Sequence, residues 1–111
     1  MENMIIKTKT ILDEAYATLK EANLTKTKAD FSNDWLHKSQ RYYSMLISTN
    51  SMVSVEALAT LAARLQTTAL HMKEHGLKTN LHDTANIADM AVKVAEALND
   101  RALTRRLRKQ A

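Results

Sequence analysis

Apolar residues recur at helical spacing along most of the chain. Ile5, Thr8, Leu12, Ala15, Leu19 and Ala22 form one stripe, with Ile11 and Tyr16 widening it. Lys7, Lys9, Glu14, Lys20 and Glu21 fall largely off that stripe. This is the pattern of an amphipathic helix with one buried face, and it predicts a first helix over Glu2 to Ala22. Asn23 is the expected stop, because Asn tolerates the left-handed conformation that often ends helices.

A short polar connection, Leu24 to Lys28, follows. Thr27 and Asp30 have the spacing of a capping box, with Asp in place of Glu, so a second helix is expected from Lys28 to His37. Phe31 and Trp35 stand one turn apart on it, and Leu36 widens their face. His37 and Lys38 are expected to form a turn, and Ser39 to cap a third helix through Thr49. Its buried side has to come from Tyr42 or Tyr43 together with Met45, Leu46 and Ile47. Gln40, Arg41, Ser44 and Ser48 are left for its polar side. The stretch Asp30 to Leu46 holds four of the five aromatic residues, Phe31, Trp35, Tyr42 and Tyr43. Large rings carry the most buried area per residue, so packing is expected to centre there.

Asn50 to Val53 is a second linker. Ser54 then caps a fourth helix with the inner stripe Val55, Leu58, Leu61, Ala62, Leu65, Ala69 and Met72, ending at Gly76, the sole Gly. A connection near Leu77 to Asn80 leads to a fifth helix, from Leu81 or Asp83 to near Lys109. Its stripe is Ile87, Ala88, Ala91, Val94, Ala95, Leu98 and Ala102. The short connection predicts an antiparallel hairpin. The expected architecture is all-α: about five helices in a single domain, with a head over 1–50 and a helical hairpin over 54–111. So many Ala residues bury little area per residue. The hairpin is therefore expected to pack on the head, on a second copy, or on both, and a homodimer is the expected state.

Composition agrees with helix. The chain has no Pro, one Gly and no Cys, and no stretch alternates like a strand. Without Cys, disulfides, thiolate metal sites and cysteine nucleophiles are excluded. One Gly cannot build a phosphate-cradling loop, and no spacing suggests a Ser-His-Asp set. The expectation is a protein without enzymatic activity, cofactor or small-molecule ligand. No apolar run is long enough to cross a bilayer, and the first residues lack the pattern of a signal peptide. A cytoplasmic protein with no membrane partner is expected.

The net charge of +4 is unevenly placed. Arg101, Arg105, Arg106, Arg108 and Lys109 give the last eleven residues five positive charges and no acid. Such a basic run complements the dipole of a helix C-terminus, and it could equally bind phosphates non-specifically.

The second and third helices together have the outline of a helix-turn-helix, in which a short helix is held by its predecessor and presents a polar face to the DNA major groove. Gln40, Arg41, Ser44 and Ser48 would form that face, with Gln and Arg suited to bidentate base contacts. Lys28 and Lys38 would reach phosphates. The spacing departs from the common motif. A small residue normally stands four positions before the left-handed turn residue, but Ser32 stands five before His37, so one residue is extra or the register is shifted by one. His is also less at ease than Gly in a left-handed turn. The competing reading is an aromatic-rich corner of a bundle that makes no nucleic-acid contact.

The run from Phe31 to Ser39, with Tyr42, Tyr43, Ser44 and Leu46, resembles a signature of small uncharacterised bacterial proteins, Phe-Ser-x-x-Trp-Leu-Gly-x-x-x-x-Tyr. The likeness spans residues 10–65 and departs at His37, where those relatives tend to have Gly. It implies a bacterial helical protein with a helix-turn-helix-like head, and brings no catalytic residue or cofactor with it.

One metal candidate stands apart. His71 and His75, in His-Met-Lys-Glu-His, place two imidazoles at i and i+4. His82 or Asp83 across the hairpin turn is the nearest possible third ligand. Polar residues near a helix C-terminus are the simpler explanation, and no metal is expected. The leading functional expectation is DNA binding by a small transcription-regulator-like protein. The rival is a non-enzymatic helical interaction or assembly protein.

Overall fold

The computed structural model describes the backbone of residues 2–49, 51–75 and 81–110, and side chains of 6–49, 51–75 and 83–103. Five α-helices carry the fold, and no strand occurs among the described residues. They are α1 (Glu2–Glu21), α2 (Lys28–Asp30), α3 (Tyr42–Ser48), α4 (Val55–His75) and α5 (Leu81–Gln110), with a π-helical turn, Phe31–Trp35, continuing α2. The all-α expectation holds.

The helix α5 is the hub. Both α4 and α1 pack along it, whereas the π-turn bears on α4 and α3 sits on α2 and the π-turn. Two ion pairs give the direction of α1: Lys7 meets Asp100 at 2.5 Å and Glu14 meets Lys93 at 3.9 Å. Residue number falls on one helix as it rises on the other, so α1 runs antiparallel to α5.

The expected stripes largely form the core. Thr8, Leu12, Ala15 and Leu19 of α1 are buried, as are Leu58, Leu61 and Leu65 of α4 and Ile87 and Val94 of α5. Phe31, Trp35, Leu36, Tyr43 and Leu46 join them in one continuous cluster. The fifth aromatic residue, Tyr16 of α1, completes the ring cluster. The centroids of Tyr16, Phe31 and Tyr43 lie 5.3–5.5 Å apart in tilted or edge-on pairs, the arrangement that aligns ring edges with ring faces.

The helix ends explain themselves locally. Asn23 takes φ 61, and two bonds close the end of α1 behind it: Asn23 N–H to Lys20 O at 3.0 Å and Leu24 N–H to Leu19 O at 2.8 Å. This is a Schellman closure on an Asn. Thr27 Oγ1 accepts the Asp30 N–H at 3.1 Å, and Ser54 Oγ accepts the Ala57 N–H at 3.1 Å, so two of the three expected caps form. Gly76 and the connection 77–80 lie outside the described residues.

Several expectations need correction. The second helix does not continue as α-helix to His37: it widens into the π-turn at Phe31 and ends at Leu36. Ser39 does not cap the third helix, which starts at Tyr42. Arg41 precedes it with no side-chain cap, and the Ser39 carbonyl accepts the Tyr42 N–H. Met45 and Ile47 are half exposed, not buried, because a seven-residue helix lying on a narrow support turns only Tyr43 and Leu46 inward. On α5, Ala88 and Ala102 are exposed, whereas Met90 and Ala97 are buried. Both rings of the Tyr42–Tyr43 pair are used: Tyr43 enters the core and Tyr42 packs against its edge.

Candidate nucleic-acid interface

The geometry of the head turns on the extra residue between Ser32 and His37. Leu36 N–H bonds to Phe31 O at 3.2 Å, five residues back, and Lys38 N–H bonds to Ser32 O at 2.9 Å, six back. An ordinary α-helical end closes with bonds one residue shorter. The π-turn thus absorbs the additional residue within its wider ring. It delivers the chain to His37, which takes the left-handed φ of 56.

Ser32 then ties the turn to the following helix. Its hydroxyl donates to Lys28 O at 2.9 Å and accepts the Tyr43 N–H at 3.1 Å, fully buried. Tyr43 stands in the first turn of α3, where a backbone N–H has no partner within the helix. Its ring and hydroxyl anchor the helix further: the hydroxyl donates to Asp13 on α1. Burial and that carboxylate hold the phenol well above its ordinary pKa. Tyr42 fastens the other flank, where its hydroxyl accepts the Ser54 N–H at 3.2 Å.

With Tyr43 and Leu46 pinned inward, the opposite side of α3 faces solvent. Arg41, Ser44, Met45 and Ser48 follow one another at i, i+3, i+4 and i+7 and are all exposed, and Gln40 is exposed beside them. Ser48 Oγ bonds back to Met45 O at 3.1 Å. Lys28 and Lys38 each approach a tyrosine ring at the start of α3. The Lys28 ammonium lies 5.9 Å from the Tyr43 ring centroid and that of Lys38 lies 5.6 Å from the Tyr42 ring. Stacking on a ring face steadies each ammonium without neutralising it.

The remaining candidates separate from this surface in different ways. Arg101 is partly buried and its Nε donates to Val53 O at 3.3 Å, so it latches α5 to the segment before α4. The side chains of Arg105, Arg106, Arg108 and Lys109 lie outside the described residues. His71 and His75 are exposed with ring centroids 4.6 Å apart, and His75 Nε2 stands 4.0 Å from Glu74. Among the described residues no group of three potential ligands surrounds them.

Two contributors escape a reading of the sequence. Ser32 looks like the small residue of a motif, and only its spacing from His37 hints at a special role. Asp13 sits off the apolar stripe of α1 and gives no sign that it meets Tyr43. No described helix is long and apolar enough to cross a membrane.

A model of the family of unknown function DUF6626 matches residues 12–108. The chain belongs to that family. The match takes in the π-turn, all of α3 and α4, and nearly all of α5, so the head and the hairpin are family features together. No curated protein and no solved structure matches the chain.

Proposed function

We propose that the chain is a small bacterial DNA-binding protein that uses α3 as its reading helix and has no enzymatic activity. The observation that carries this reading is the solvent stripe Arg41–Ser44–Met45–Ser48, set opposite the two residues that lock α3 to the core. Arg is the residue type that grips guanine O6 and N7, Ser accepts or donates to any base edge, and an exposed Met is an apolar partner for a thymine methyl. Lys28 and Lys38 supply the flanking positive charge for phosphates, and phosphate contacts fix register without reading sequence. The π-turn removes the one spacing objection to a helix-turn-helix, because it accommodates the extra residue and still brings His37 to the left-handed position. Phe31 and Trp35 of the π-turn and Tyr43 of α3 are buried in one cluster, which supports α3 as a helix held for presentation.

A second reading draws on Met45 and Ile47, 51 % and 50 % exposed. Two apolar side chains on one short helix also suit a protein partner, in which case the chain is an interaction protein that leaves DNA alone. Fluorescence anisotropy with a random-sequence duplex separates the two. A DNA reader binds at low salt, weakens steeply as salt rises, and weakens further in Arg41→Ala. Absence of binding at about 50 mM salt, a condition under which phosphate contacts are strong, overturns the DNA reading.

A further inference from the structure

The C-terminal end of α3 carries a cation supplied by another helix. Lys9 of α1 reaches across to it, and its ammonium donates to the Thr49 carbonyl at 2.6 Å. Thr49 is the residue that closes α3: its N–H and its hydroxyl both donate to Met45 O, at 2.9 and 2.8 Å. One turn further along α1, Asp13 accepts the Tyr43 hydroxyl near the other end of α3. The two contacts run in opposite order along the two helices, so α1 passes α3 antiparallel and leaves Lys9 at the far end of the exposed helix.

A cation suits this place, because a helix C-terminus is the negative end of its dipole. The bond to Thr49 uses one of the three N–H donors that an ammonium carries. Among the described residues Lys9 makes no ion pair, so its charge is not neutralised by a carboxylate. Lys7, two residues earlier, is paired with Asp100 on α5. Of these two neighbouring lysines, therefore, one is tied to an acid and the other presents its charge at the end of α3.

We infer that Lys9 is a phosphate contact, so that the DNA backbone is held at both ends of the reading helix. The inference rests on the DNA reading proposed above and adds α1 to the surface that makes it. At the start of α3 the ammonium groups of Lys28 and Lys38 stack on Tyr43 and Tyr42, and Lys9 stands at its end. From Tyr42 to Thr49 the helix advances about 10 Å at 1.5 Å per residue, close to the ~12 Å width of the major groove. A short helix set in that groove has a sugar-phosphate wall within a lysine's reach of either end. Fixing Lys9 on Thr49 beforehand also lowers the cost of ordering a long side chain when the complex forms.

The test is fluorescence anisotropy with the full chain and duplex DNA, at salt concentrations from about 50 to 200 mM, where phosphate contacts dominate the salt dependence. Lys9→Gln removes the charge and keeps an N–H donor. It should bind more weakly at low salt, on a random duplex and a selected site alike. The slope of log affinity against log salt should flatten by about 0.9, the value for one phosphate. The fourfold rise in salt then costs the variant about 3.5-fold less affinity than it costs the wild type. Lys9→Arg keeps the charge and should retain the wild-type slope. Lys7→Gln is the control for long-range charge, and its slope should also match the wild type. Urea midpoints of all three variants report any loss of the α3 cap separately, since a cap that touches no DNA changes stability and leaves the slope alone.

Binding by the wild type with an unchanged slope in Lys9→Gln overturns the inference and leaves the DNA reading standing. Equal flattening in Lys7→Gln or in Lys9→Arg overturns it as well, because the effect would then belong to charge at a distance or to the cap. A wild type that binds no duplex at about 50 mM salt overturns the DNA reading itself, and this inference with it.

Discussion

Ser32 Oγ accepts the backbone N–H of Tyr43 at 3.1 Å across the turn between two helices. A hydroxyl on the preceding element therefore does what an N-cap residue would do from within α3, where Arg41 offers no side-chain bond. Because Ser32 is buried and also donates to Lys28 O at 2.9 Å, one side chain fixes the distance between the π-turn and α3. Ser32→Ala leaves a buried N–H without a partner, which costs about 1–3 kcal/mol. Urea unfolding should show a lower midpoint with an unchanged slope. A midpoint equal to the wild type would mean that water replaces the hydroxyl and the bond contributes nothing net.

His37 is held at φ 56, where a side chain bearing Cβ pays about 1–2 kcal/mol relative to the right-handed region. Glycine relieves that strain but gains freedom in the unfolded chain. His37→Gly should therefore stabilise the protein by a net ~0.5–1 kcal/mol. Asn23, at φ 61, provides the comparison. Asn is already tolerated in that conformation, so Asn23→Gly should change stability less. Thermal melts of the two variants side by side check the order.

The Tyr43 phenol is raised above its ordinary pKa by burial first, then by its hydrogen bond to Asp13 and the nearby charge of that carboxylate. In the unfolded chain the phenol titrates near pH 10. Below that value both states hold the proton and the contribution to stability is complete. Above it the unfolded state loses the proton while the folded state keeps it, so stability falls as pH rises, by at most about 1.4 kcal/mol per pH unit. Tyr43→Phe should cost about 1.5–3 kcal/mol at pH 7, as expected for a hydrogen bond to a charged group, and its stability should fall less between pH 10 and 11.5 than that of the wild type. Parallel curves for the two proteins over that range would remove Tyr43 as the source of alkaline sensitivity.

The long helices were legible in the sequence because a period of 3.6 repeated over five turns leaves little choice of face. Leu12, Leu19, Leu58, Leu65, Ile87 and Val94 all stand buried where the stripes put them. The π-turn was not legible as such: Phe31 and Trp35 share a face in an α-helix and in a π-helix alike. Only the five-residue spacing from Ser32 to His37 betrayed it. Short elements failed for a different reason. In α3, seven residues of mixed character give no period to follow. The division between Leu46 inside and Met45 and Ile47 outside is set by what lies beneath the helix. Within the candidate interface, the exposure of Gln40, Arg41, Ser44 and Ser48 could be anticipated. The stacking of Lys28 and Lys38 on two tyrosines could not, since it depends on the path of the chain through the turn.

The basic C-terminus and α3 can be separated as sources of DNA affinity because Arg101 is structural. Its bond to Val53 O at 3.3 Å means that a truncation made before it would disturb the α3–α4 linker as well as remove charge. Ending the chain after Leu103 retains Arg101 and deletes Arg105, Arg106, Arg108 and Lys109. If those four side chains neutralise phosphates, the slope of log affinity against log salt should flatten by up to about 3.6, at roughly 0.9 per phosphate. The preference for one sequence over another should be unaffected. Arg41→Ala should do the reverse, reducing discrimination between a selected site and a scrambled one by about 1–3 kcal/mol with a change in slope of about one at most. Anisotropy titrations of both variants at four or more salt concentrations make the distinction. If the truncation abolishes binding and Arg41→Ala leaves discrimination untouched, the DNA contact belongs to the tail and α3 serves another surface.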